Sequence, residues 1–87
     1  MVEIRKHIYG RTWNEITLEP PDTAPHRNFW KYTEMENDYH RYPQVIHEDL
    51  ISPEEVATII KSTLKAIAER KAPMILVVNN KVIARNF

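Results

Sequence analysis

The sequence predicts an α+β domain in which a small antiparallel sheet packs against one long amphipathic helix. Three observations carry that expectation. Residues 52–71 repeat apolar side chains at helical spacing behind a full set of helix-start residues. The stretch "MILVVNNKVIARNF" (74–87) holds two β-rich runs around a pair of asparagines, and "TWNEITLE" (12–19) places Ile16 and Leu18 on one side of an alternating run.

Taken in order, "VEIRKHIY" (2–9) puts Val2, Ile4 and Ile8 on one side, Gly10 offers a turn, and 12–19 returns as the second strand of an N-terminal hairpin. "EPPDTAPH" (19–26) is a proline-rich loop, since each proline removes a backbone donor. "NFWKYTEM" (28–35) is the third strand, with Trp30 and Tyr32 on one face. From Met35 to Leu50 the acids cluster and Pro43 interrupts regular structure. That stretch is expected to be an irregular acidic connection, in which Ile46 and Leu50 look inward.

The helix is the clearest element. Ser52 is placed to cap it, Pro53 suits its first position, Glu55 stands where a reciprocal capping box needs it, and Ile51 with Val56 can close a hydrophobic staple. Val56, Ile59, Ile60, Leu64 and Ile67 then form the inward stripe. Acids at the start, with Arg70 and Lys71 at the end, complement the helix dipole, and Pro73 forbids continuation. In the C-terminal hairpin a two-residue Asn79-Asn80 turn sets Val77 against Val82, Leu76 against Ile83 and Ile75 against Ala84. One face is then Ile75, Val77, Val82 and Ala84, assigned to the core. The other carries Met74, Leu76, Val78 and Ile83, also largely apolar. One helix covers one face, so the second face needs a partner molecule or a lid made from residues 19–50. Ile4, Ile16, Leu18 and Trp30 complete the predicted core.

Composition narrows function by exclusion. The 87 residues suit a single domain, 1–87, with little room for both a core and an elaborate active site. With no cysteine there is no disulfide framework, thiolate nucleophile or Cys-based metal centre. No apolar run approaches the roughly 18 residues that span a bilayer, which predicts a soluble, cytoplasmic chain without a membrane partner. The single glycine, Gly10, leaves no phosphate-cradling loop or dinucleotide fingerprint. No cofactor is expected, and the chain leans away from catalysis.

Net charge is zero but unevenly spread. Residues 1–32 carry five bases against four acids, 33–55 one against seven, and 56–87 six against one. The expectation is internal pairing of the acidic middle with the basic C-terminal third, leaving Asp38, Glu48 and Asp49 as an acidic surface.

Three function classes follow. A protein-interaction module would use Met74, Leu76, Val78 and Ile83 to meet a protein partner or a second copy, as a homodimer, a complex subunit, or an inhibitor or regulator of a larger protein. The alternative is a nucleic-acid-binding domain, in which Arg27, Trp30, Lys31, Lys61 and Lys65 supply aromatic and basic contacts. A small metal-assisted enzyme is the weakest: His40 and His47 offer imidazoles beside carboxylates, but six residues separate them and no helix-borne ligand pair accompanies them. The sequence favours the interaction module.

Overall fold

In the computed structural model, which describes residues 12–21, 28–38 and 41–87, five strands form one sheet packed against a single helix. The elements are β1 (Thr12–Glu19), β2 (Trp30–Asp38), β3 (Arg41–Ile51), α1 (Pro53–Glu69), β4 (Met74–Val78) and β5 (Lys81–Arg85). Their order across the sheet is β3-β2-β1-β4-β5. The fold class is the α+β arrangement expected, with one departure: β1 and β4 run parallel, while the other three pairs are antiparallel. Parallel neighbours cannot be joined by a tight turn. Here α1 carries the chain from β3, at one edge, to β4 beside the central strand.

That central position replaces the expected N-terminal hairpin. β1 pairs with β2 along its whole length and with β4 from Asn14 to Leu18, so both its sides are occupied. The strand proposed for residues 2–9, with Ile4, lies outside the described residues. The proline-rich loop is described only at its edges.

Residues 35–50 are the larger correction. β2 continues to Asp38, and β3 runs through Pro43 as an edge strand of 11 residues. Pro43 is tolerated because an edge strand needs donors on one side only, and the register slips between Glu34 and Met35 and again between Glu36 and Asp38 absorb the irregularity. Residues 30–38 and 41–50 therefore extend the sheet and do not fold over it as a lid.

Registers fix which side chains share a face. Ile16 lies beside Leu76, Leu18 beside both Val78 and Tyr32, and Leu76 beside Ala84. Leu18 and Leu76 are wholly buried, and Ile16, Ile51, Val56 and Ile67 close the core around them. Met74, Val78, Ala84, Trp30, Tyr32, Ile59 and Ile60 pack at its margin. The expected faces of β4 are thus exchanged: Met74, Leu76 and Val78 lie towards the helix, while Ile75 and Val77 face away; on β5, Ala84 packs against the core as expected and Val82 is largely exposed. The reason is partly the parity imposed by Ile16 and Leu18 of β1. It is also a bulge between Leu76 and Val77, which sets Leu76 opposite Ala84 and leaves Ile83 as the extra residue.

The helix begins as its sequence indicates. The Ser52 hydroxyl accepts from the Glu55 N–H, the Glu55 carboxylate accepts from the Ser52 N–H, and Ile51 and Val56 are both buried. Its inward stripe is the expected one at Val56, Ile59, Ile60 and Ile67, and departs from it at Leu64, which is 38% exposed while Thr63 is buried. The Thr63 hydroxyl has no hydrogen-bond partner among the described residues.

The helix ends at Glu69, so Arg70 and Lys71 are not in its last turn. Arg70 is the cap, in the left-handed region at φ 55°, and donates its N–H to the Ile67 carbonyl, while Lys71 pairs with Glu69 at 3.7 Å. With glycine so scarce, non-glycine residues take the positive φ values; Asn79 and Asn80 do so at 52° and 65° in the two-residue turn that was expected.

Asn86 then ties helix, loop and sheet together. Its Oδ1 accepts from the Met74 N–H at 3.0 Å, and its Nδ2 donates to the carbonyls of Ile67 at 3.2 Å and Ala72 at 2.9 Å. Its own N–H donates to the Met74 carbonyl.

Two measurements check this packing. Thr63→Val removes a buried hydroxyl without changing shape and should raise the urea unfolding free energy by about 1 kcal/mol; a loss of stability would mean the hydroxyl is satisfied. Asn86→Ala removes three hydrogen bonds and strands the Met74 N–H and the Ala72 carbonyl, and should cost about 2 to 3 kcal/mol in the same assay, against under about 0.5 kcal/mol for an ordinary surface change.

Candidate functional site

The residues singled out for function do not converge. Of the predicted interaction face, Leu76 is wholly buried and Met74 and Val78 are packed against the core, so these three form part of the interior. Only Ile83, the bulge residue on β5, remains 49% exposed.

The acidic surface is also divided. Glu48 and Asp49 are adjacent on β3, and adjacent strand residues point to opposite faces. Asp49 lies opposite Tyr32, six positions along β2 from Asp38, a separation of about 20 Å. Glu48 forms an ion pair with Lys31 of the neighbouring strand at 3.1 Å, so its partner is not in the C-terminal third. The hydrogen bond to Glu48, then its charge, holds the Lys31 ammonium above its ordinary pKa. Asp49 accepts a hydrogen bond from the Leu50 N–H at 2.8 Å. Asp38 lines a small cleft of about 60 Å³ with Thr12, Glu36, Tyr42 and Gln44.

For nucleic acid, Arg27 lies outside the described residues. Trp30 is half-buried against the core, and Lys31, the next residue, projects from the opposite face. Lys61 and Lys65 sit on the exposed side of α1. Aromatic and cations therefore occupy three separate surfaces.

For metal, His40 is outside the described residues, and the His47 ring lies 5.8 Å from that of Tyr32, tilted by 58°. Among the described residues no three His, Asp or Glu side chains are grouped closely enough to hold an ion.

What the sequence reading missed is the outer edge of the sheet. Every side chain from Tyr42 to Leu50 is exposed, and four are apolar or aromatic: Tyr42 at 91%, Val45 at 56%, Ile46 at 52% and Leu50 at 64%. No strand pairs with the outer side of β3 among the described residues. Tyr42, Val45 and Ile46 were the available signal, since all three residue types favour strands. Pro43 and the acids obscured it.

The edge is not uniform. From His47 to Ile51 it pairs with β2 without interruption, whereas Ile46 is the extra residue of a bulge and Pro43 lacks an N–H. The regular part of β3 is therefore a five-residue segment carrying Glu48 and Asp49. On the helix-free face nearby, the surface is polar at its centre: the Glu15 carboxylate accepts from the Thr17 hydroxyl at 3.2 Å and from the buried Asn37 side chain at 3.3 Å.

Tyr32 reports on the helix-facing side. Burial first, then the Glu34 charge and a 3.2 Å hydrogen bond donated to Glu34, raise its phenol above the usual 10.0. A raised folded-state pKa contributes stability below the unfolded value that is lost as pH rises through the folded one. Wild-type stability should therefore fall more steeply above pH 10 than that of Tyr32→Phe in parallel urea titrations, and identical slopes would contradict the assignment.

No helix among the described residues is long and apolar enough to cross a membrane. No family model matches the chain, and no curated protein or solved structure is significantly similar to it, so a functional reading rests on this geometry alone.

Proposed function

We propose that this chain is a small non-catalytic protein-interaction module that takes up an extended strand of a partner along the outer side of β3. The observation that carries the reading is the exposed apolar edge from Tyr42 to Leu50. A sheet edge offers unpaired backbone donors and acceptors, and flanking side chains choose among candidate strands. Pro43 and the bulge at Ile46 blunt the first half of this edge, which confines regular pairing to His47–Ile51. Glu48 and Asp49 within that segment favour a strand bearing lysine or arginine.

The nucleic-acid reading loses support from the separation of Trp30 from Lys31 and of both from the helix lysines. Trp30 packs against the core, so stacking a base on it would have to displace part of that packing. Edge addition needs no such rearrangement.

The reading is tested by affinity capture from extracts of the source cell with wild type and Val45→Lys/Ile46→Lys as parallel baits. Both substitutions are at exposed edge positions and should change unfolding free energy by no more than about 0.5 kcal/mol. Partners held by the wild type, further copies of the chain included, should be lost from the variant. Identical recoveries would overturn the reading.

A further inference from the structure

We propose that the strand received by β3 is β5 of a second copy, so that molecules associate head to tail through opposite edges of the sheet. This rests on the edge-addition reading above and names its partner. The two outer strands of the described sheet are β3 and β5, and both expose apolar side chains: Val45, Ile46 and Leu50 on one, Val82 at 55% and Ile83 at 49% on the other. Their charges are opposite. The regular segment of β3 carries Glu48 and Asp49, and β5 carries Lys81 and Arg85 with no acid.

One sign on each edge discriminates between modes of pairing. A two-fold β3–β3 contact centred on the regular segment brings acids together, and a β5–β5 contact brings cations together. The mixed contact joins opposite charges.

Topology supplies the orientation. β3 and β4 both run parallel to β1, and β5 runs antiparallel to β4, so β5 is antiparallel to β3 within one chain. A second copy placed beside the first with its helix on the same side presents β5 antiparallel to β3. With Lys81 opposite Asp49, both lie on the helix side, because Lys81 pairs with the core-facing Val78 and Asp49 with Tyr32. Val82 then meets Glu48, and the Ile83 bulge brings Arg85 diagonal to Glu48 on the other face. Such a contact is heterologous; it closes into a ring or continues as a chain according to the rotation between copies.

The test is sedimentation velocity across roughly a hundredfold concentration range at low and high salt, with two charge-reversed chains. Lys81→Glu/Arg85→Glu makes both edges acidic, and Glu48→Lys/Asp49→Lys makes both basic. Wild-type mass should rise with concentration and fall with salt. Each variant alone should associate at least about tenfold more weakly, and an equimolar mixture should recover association, because each then finds the opposite sign. A wild type that stays monomeric, a variant that self-associates like the wild type, or a mixture no better than its components overturns the proposal. The wild-type salt and concentration dependence decides the matter alone should a variant fail to fold. If self-association fails while Val45→Lys/Ile46→Lys still loses a captured protein, β3 remains a docking edge for a different strand; if both fail, the edge reading falls with it.

Discussion

The parallel pairing of β1 with β4 is the constraint on which the other elements depend. It sets Ile16 beside Leu76 and Leu18 beside Val78, and Leu18 and Leu76 are the two side chains fully withdrawn from water. Because parallel neighbours need a crossover, α1 must traverse the sheet, and its inward residues meet the face that β1 has already selected. The same parity determines the outward residues of β2 and, through β2, those of β3. A one-residue slip of β4 would exchange its buried and exposed sets together.

The parts of this fold legible in the sequence are those specified by neighbours in the chain. Ser52, Pro53 and Glu55 define the helix start within four positions, and Asn79-Asn80 defines a turn through backbone conformations that asparagine tolerates. The hairpin faces were not legible, because both runs are apolar on both sides and only β1, distant in sequence, decides between them. β3 was hidden for a different reason. Residues 42–50 of this edge strand bury no apolar face, so their side chains need not alternate, and proline and acids that signal a loop in isolation are tolerated there. Leu64 and Thr63 illustrate a third limit: hydrophobicity selected the better core former, but the geometry of the turn placed its neighbour inward.

The site residues chosen from sequence were chosen by type, and the fold distributes them by position. Consecutive strand residues such as Trp30 and Lys31, or Glu48 and Asp49, emerge on opposite sides of the sheet. Short linear clusters therefore do not become surface clusters when they fall on a strand. The feature that does persist along β3 is its exposed backbone margin, a property of topology more than of any residue. That is why a function grounded in backbone pairing fits this molecule better than one grounded in a constellation of reactive side chains.

The crossover also bears on how the chain reaches this state. Ile16 and Leu76 are sixty positions apart, so the central ladder cannot form until nearly the whole chain has been gathered. Contacts of such long sequence separation slow the search, because loop entropy is lost before the contact stabilises anything. The β2–β3 pair and α1 are local and can form earlier. During that interval an early β2–β3 ribbon would present its strand margins without the rest of the sheet, and the proline and bulges of β3 would then act as safeguards against mispairing as well as features of the finished surface.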